Sequence, residues 1–158
     1  MKRIIPLACL ALTIAGPAMA DVDLIRIDKA DRKLRLYDQG ALIAEYDIRL
    51  GFSPVGPKTR EGDGRTPEGR YRISAKNPAS AYTLSLRVSY PDATDRARAA
   101  AAGVDPGGDI MIHGQPNRMP DFVTLPYDWT AGCVAVSNAA IREIYETVAV
   151  GTTIEIRP

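Results

Sequence analysis

Histidine is almost missing from this sequence. His113 is the only one in 158 residues, and cysteine occurs twice, at Cys9 and Cys133. A zinc site assembled from several thiolate and imidazole ligands therefore has too little to build from. A Cys-x-x-Cys redox pair is absent as well. No charge of one sign dominates: 20 basic residues stand against 19 acidic ones. Nothing in that balance points to nucleic acid or an anionic membrane as partner. Beyond the first twenty residues no apolar run approaches the roughly 20 residues a membrane helix needs.

The first twenty residues have an order of their own. Lys2 and Arg3 form a positive head, residues 4–15 are apolar, and Gly16-Pro17 breaks the run. Ala18-Met19-Ala20 then supplies the small residues of a cleavage point. This is the layout of a secretory signal peptide, residues 1–20, rather than of a membrane anchor. Cleavage would leave one domain, residues 21–158, long enough for a real core. Losing Lys2 and Arg3 brings the basic count to 18 against 19 acidic residues, a net charge of about −1. Cys9 would leave too, so Cys133 has no cysteine to pair with. One free thiol and one imidazole form the minimum set for an activated nucleophile.

Alternating apolar and polar residues predict strands at 23–28, 33–37 and, more loosely, 42–50. Asp38-Gln39-Gly40 fits a hairpin turn between the second and third. Residues 51–69 are a long Gly- and Pro-rich loop, the kind that is usually functional or disordered. Strands follow at 70–74 and 82–88. An Ala-rich helix is expected over 92–102 with Gly103 as its stop. A short strand at 109–113 ends on His113, and a second long loop covers 114–130. Residues 133–136 read as a buried strand, and Ser137 or Asn138 caps a helix to about Val148. Residues 152–156 close the chain as a strand. The expected class is mainly β, a β-sandwich of mixed sheets with two short helices.

His113 and Cys133 each lie at the end of an expected strand and beside a glycine, Gly114 and Gly132. Loops on a rigid scaffold are where reactive groups are presented. An imidazolium next to Cys133 would lower its pKa and give a thiolate able to attack a carbonyl. The N–H groups of Gly132 and Cys133 would face the oxyanion, with Gly132 letting backbone approach the substrate. Weaker candidates are Arg87, Arg96 and Arg118 for a substrate carboxylate, and Tyr90, Tyr127 and Trp129 for a cleft wall. Thr66-Pro67-Glu68-Gly69 reads as a turn that lends no side chain to chemistry.

IMIHG (110–114) and TAGCVAVSN (130–138) resemble the signature of the YkuD-type L,D-transpeptidase catalytic domain: His-Gly, a gap, then Ser/Thr-x-Gly-Cys. GDGRTPEGRYRIS (62–74) resembles that family's Thr-Pro-x-Gly segment, and GTTIEIRP (151–158) its closing strand. The resemblance implies a YkuD-like fold and a periplasmic enzyme acting on peptidoglycan stem peptides. Cys133 would attack the carbonyl of the third stem residue, typically diaminopimelate, and release terminal D-alanine. His113 would be base and acid, the Gly114 carbonyl would orient the imidazole, and Thr130 and Gly132 would frame the cysteine. No metal or organic cofactor is implied, and a monomer is the expected state.

Two positions depart from the family pattern. Ala131 stands where many members have His, and Ala135 where they have Arg. That leaves two alternatives beside transfer. One is a hydrolytic relative, an L,D-carboxypeptidase or an amidase cutting a peptidoglycan–lipoprotein link. The other is a non-catalytic envelope-binding module. Sortase-like chemistry wants Thr-Leu-x-Thr-Cys, which is absent.

Overall fold

Alternation shapes the N-terminal third of the chain as expected. The computed structural model describes residues 21–158, so the expected signal peptide and Cys9 lie outside the described residues. Strands β1 (Leu24–Asp28) and β2 (Lys33–Asp38) turn Ile25, Ile27, Leu34 and Leu36 inward. Each such fully buried side chain contributes about 1.5–3 kcal/mol. The Asp38-Gln39-Gly40 turn leads into β3 (Ala41–Asp47), antiparallel to β2.

Strand β4 (Gly69–Asn77) is longer than its sequence pattern suggested. It is followed by β5 (Ser85–Val88), α1 (Ala93–Ala101), β6 (Met111–His113), β7 (Val134–Ala135), α2 (Asn138–Thr147) and β8 (Thr153–Arg157). The eight strands run β3-β2-β1-β8-β4-β5-β6-β7, with parallel pairs at β1·β8 and β6·β7. The architecture is mainly β, with a mixed, curled sheet and two helices. Its two layers are continuous through β4. Residues 69–72 pair with β8, and the C-terminal part, past a register shift between Ile73 and Ala75, pairs with β5. Strand β5 starts later than the sequence predicted, because Thr83 takes φ +69, which breaks an extended run.

Both helices are capped by the residues before them. Asp92 and Asp95 form a reciprocal capping box on α1. Ser137 accepts the Ala140 N–H at the start of α2, which lays Ile141 and Ile144 on the core. This frees Asn138, the other expected cap, for a different task.

The loop over 51–69 is ordered by two buried lysines. Lys29, 2% exposed, donates to the carbonyls of Gly56 and Thr66 and pairs with Glu68 at 2.7 Å. Lys58 pairs with Asp63 at 2.9 Å, and Asp63 also accepts the N–H groups of Thr59, Arg60 and Arg65. Burial pushes the Asp63 carboxyl up, but these donors outweigh it and hold it at about 2.

Candidate active site

Strand register brings the two reactive residues together. β6 and β7 run parallel, with Ile112 beside Val134 and His113 beside Ala135. Side chains alternate along a strand, so Cys133, two residues before Ala135, lies on the His113 side of the pair. Both line one cavity of about 250 Å³, with Tyr82, Asp109, Met111 and Trp129 among its other walls.

The imidazole is 4% exposed and fixed on three sides. Its Nδ1 lies 2.7 Å from the Gly114 carbonyl oxygen. A carbonyl can only accept, so Nδ1 carries the proton and Nε2 keeps a free lone pair. The Tyr82 ring lies 4.5 Å from the imidazole, centroid to centroid, and Trp129 5.6 Å away at a steep angle. The Trp129 indole N–H is buried and has no acceptor among the described residues. An unmet donor costs about 1–3 kcal/mol, so the indole is held there by the rings it touches and by Asp128. Asp128 accepts from Leu50 N–H and Arg32, anchoring the chain just before Trp129.

The surroundings of the two groups act against the ion pair expected from the sequence. Burial pushes the Cys133 thiol above its ordinary 9.0. The Asp109 charge adds to this, while the Met111 N–H and Lys58 oppose it. Burial holds His113 below its ordinary 6.5, against a smaller opposite effect of Gly114. Both shifts favour a neutral thiol and a neutral imidazole at rest. The thiol contacts the Asp109 carbonyl at 3.4 Å, as a protonated sulfur would. Asp109 itself has φ +53, which turns its backbone out of the extended path. No hydrogen bond joins Cys133 to His113 among the described residues.

The turn before the cysteine also departs from expectation. Thr130 Oγ1 donates to the Cys133 carbonyl at 2.7 Å and accepts the Gly132 N–H at 3.1 Å. The Gly132 N–H is thus already used and does not face an oxyanion. The Cys133 N–H is the donor left over. Gly132 is required for another reason: at φ +138 a Cβ would lie 2.7 Å from the Arg65 carbonyl. The close approach is to the 51–69 loop rather than to substrate.

The loop after His113 is tied down by two residues the motif reading did not single out for this. Gln115, fully buried, donates to Val136 O and accepts the Leu125 N–H. Asn138 accepts from Gln115 N–H and Thr83 Oγ1 and donates to Asp121. The adjacent positions "HGQ" and "VSN" were the available signal, but a polar residue beside a helix start reads first as a cap. Gly114 sits under this knot. A Cβ there would lie 2.6 Å from Asn138 Oδ1 and 2.9 Å from Ile141 Cγ2. Gly114→Ala should cost about 1–3 kcal/mol, read as a lowered thermal midpoint, and should displace the carbonyl that orients His113.

The weaker candidates separate. Arg118, Tyr127 and Trp129 line a second cavity that adjoins the first. Arg87 pairs with Asp109 at 2.7 Å on the exposed rim. Arg96 lies on α1 and donates to the Pro91 carbonyl. Tyr90 is a core residue rather than a cleft wall, 4% exposed with its hydroxyl on Pro106 O. Thr66 is buried under Gly51 N–H, and Glu68 serves Lys29. Ala135, 1% exposed, exchanges backbone hydrogen bonds with Arg49.

Comparison with known proteins places this geometry. The YkuD family model, described as the L,D-transpeptidase catalytic domain, matches residues 23–156. "Putative L,D-transpeptidase YafK" of Escherichia coli strain K12 is 35% identical over 130 residues, covering 78% of this chain and 46% of the relative. The chain thus spans about half the length of the curated relatives it matches. Among solved structures, the helical cell shape determining protein Pgp2 of Campylobacter jejuni, as its K307A mutant, aligns with a TM-score of 0.68. It is 29% identical, over 89% of this chain and 48% of that one. Bd1075 of Bdellovibrio bacteriovorus aligns at 0.61 and 25% identity, over 89% and 50%. The chain belongs to the YkuD family of L,D-transpeptidase catalytic domains.

Proposed function

We propose that this protein is an exported, periplasmic cysteine acyltransferase acting on peptidoglycan stem peptides, an L,D-transpeptidase that works as a monomer. One observation carries the reading: Cys133 and His113 share a cavity in which Gly114 leaves Nε2 free to accept a proton. The sulfur attacks the carbonyl of the third stem residue, typically diaminopimelate, while Nε2 takes the thiol proton. The Cys133 N–H donates to the oxyanion. On collapse the C–N bond breaks, the imidazolium protonates the leaving D-alanine, and a thioester remains on Cys133. An incoming amine gives its proton to Nε2, its C–N bond forms, and the C–S bond breaks to restore the thiol. Thr130 and Gly132 hold the turn that presents the sulfur. The relative named for determining helical cell shape supports a role in cell-wall organisation and cell shape.

Ala135 favours a second reading in which water replaces the amine. It places no cation in the strand position beside His113. Mass spectrometry of muropeptides incubated with the mature protein tests both. Cross-linked dimers or exchanged terminal residues are expected from a transferase. Loss of D-alanine alone identifies a carboxypeptidase. No change on any tetrapeptide overturns both readings and leaves the lipoprotein-linkage amidase or the binding module.

A further inference from the structure

The catalytic cavity has a larger neighbour. A second cavity of about 590 Å³ shares two walls with it, Tyr82 and Trp129, but does not reach Cys133. Those two rings are the ones that pack on the imidazole. The larger space is lined by neither His113 nor Cys133, but it lies against the two rings that cover the imidazole, which puts it on the imidazole side of the site.

In acyl transfer the acyl group stays with sulfur, while the imidazole handles the proton of the amine, both departing and arriving. Whatever carries the amine belongs on the imidazole side. We propose that this second cavity is the amine-side site, and that it takes an amino compound longer than a single alanine, with an apolar body and a free carboxylate held by Arg118. The assignment of sides rests on the acyl-transfer reading above.

Size, lining and anchoring each support it. A space of about 590 Å³ falls in the range of roughly 300–1,000 Å³ that accepts whole small ligands, and one alanine would leave much of it unfilled. Met119, Leu125 and Tyr127 give it apolar walls, and Arg118 is the one charged residue lining it. The Arg118 guanidinium makes no ion pair and no hydrogen bond among the described residues, whereas Arg32, Arg87 and Arg142 each hold a carboxylate. A free guanidinium over an apolar wall suits bidentate binding of a carboxylate. Its backbone is held in place: the neighbouring Asn117 donates to Ser80 O at 2.9 Å and accepts the Thr83 N–H at 2.6 Å. The site is thus tied to the turn that carries Tyr82, and little ordering is left for binding to bring about.

The sequence contains one tryptophan, and it is Trp129. Its fluorescence reports occupancy of this wall without any turnover. Mature Cys133→Ala protein is titrated with glycyl-leucine, glycyl-leucinamide and D-alanine. Glycyl-leucine should change the emission saturably and bind about tenfold more tightly than the amide or D-alanine. Arg118→Met in the same background should remove that preference; Arg118 is exposed, so the fold is kept. Equal affinity for acid and amide, equal affinity for D-alanine, an unchanged titration in Arg118→Met, or no emission change with any probe would each overturn the proposal. Because binding is read in a protein without its thiol, the result does not depend on the muropeptide assay, and the failure of one is told apart from the failure of the other.

Discussion

Cys133→Ala should lower the rate on muropeptides by at least about a thousandfold and leave the thermal midpoint almost unchanged. The two halves of this expectation have separate causes. In the proposed mechanism the thioester forms on Sγ, and removing a nucleophile that works as a unit with its base takes away nearly all of the covalent route. The side chain does little for the fold: it is partly exposed, and its polar partners are backbone groups, the Asp109 carbonyl and the Met111 N–H. The turn around it is held by Thr130, which hydrogen-bonds the backbone on both sides and is untouched by the substitution. Activity assays and calorimetry on the same preparation check both. A variant that keeps full activity would remove the acyl-enzyme from the mechanism.

The second large effect is in pH dependence. Alkylation of Cys133 by iodoacetamide needs the thiolate, so its rate reports ionisation of the free enzyme. Burial raises the thiol above 9.0. The rate should therefore be low at pH 7, climb about tenfold per pH unit, and level off only beyond pH 9. A thiolate–imidazolium pair would instead show a plateau from mildly acidic pH upward. Turnover should follow a different curve. In the proposed mechanism the productive form has the proton on sulfur and none on Nε2. The lowered His113 pKa keeps the imidazole neutral to below pH 6.5, and the raised Cys133 pKa keeps the thiol protonated to above pH 9.0. The plateau of kcat/KM should span that interval, falling on the acid side as His113 takes a proton and on the alkaline side as Cys133 loses one. An alkylation plateau centred near pH 6 would show that the pair is ionised at rest.

Sequence pattern reached the strands and the residues, and stopped at their surroundings. Two-residue alternation located β1 and β2 because one face of each is buried. The adjacency of His113 and Cys133 to strand ends was readable because β6 and β7 are short and bounded by glycine. The direction of the pKa shifts was not, since it depends on how Tyr82 and Trp129 close over the imidazole from distant segments. The same limit explains the Gly132 N–H. Spacing shows a donor next to the cysteine, but not that a threonine hydroxyl two residues back already occupies it. Thr83 broke β5 through a backbone angle that a Tyr-Thr-Leu stretch does not advertise. Tyr90 looked like a cleft aromatic because it lies beside a loop; its ring points the other way, into the core.

Strand β8 lies between β1 and β4, so the final strand of the chain is an interior strand of the sheet. Until Thr153–Arg157 docks, the β1–β3 meander and the half bearing His113 and Cys133 are joined in backbone pairing, among the described residues, only by the isolated bridges Arg49–Ala135 and Gly51–Thr130. Assembly has to wait for contacts between the two ends of the sequence, which makes folding slow relative to helical domains of similar size. The sheet closes only when strands from both ends of the sequence meet at β8, so loss of that strand would keep the β6·β7 pair beside His113 and Cys133 but remove the ladder that ties it to the N-terminal meander.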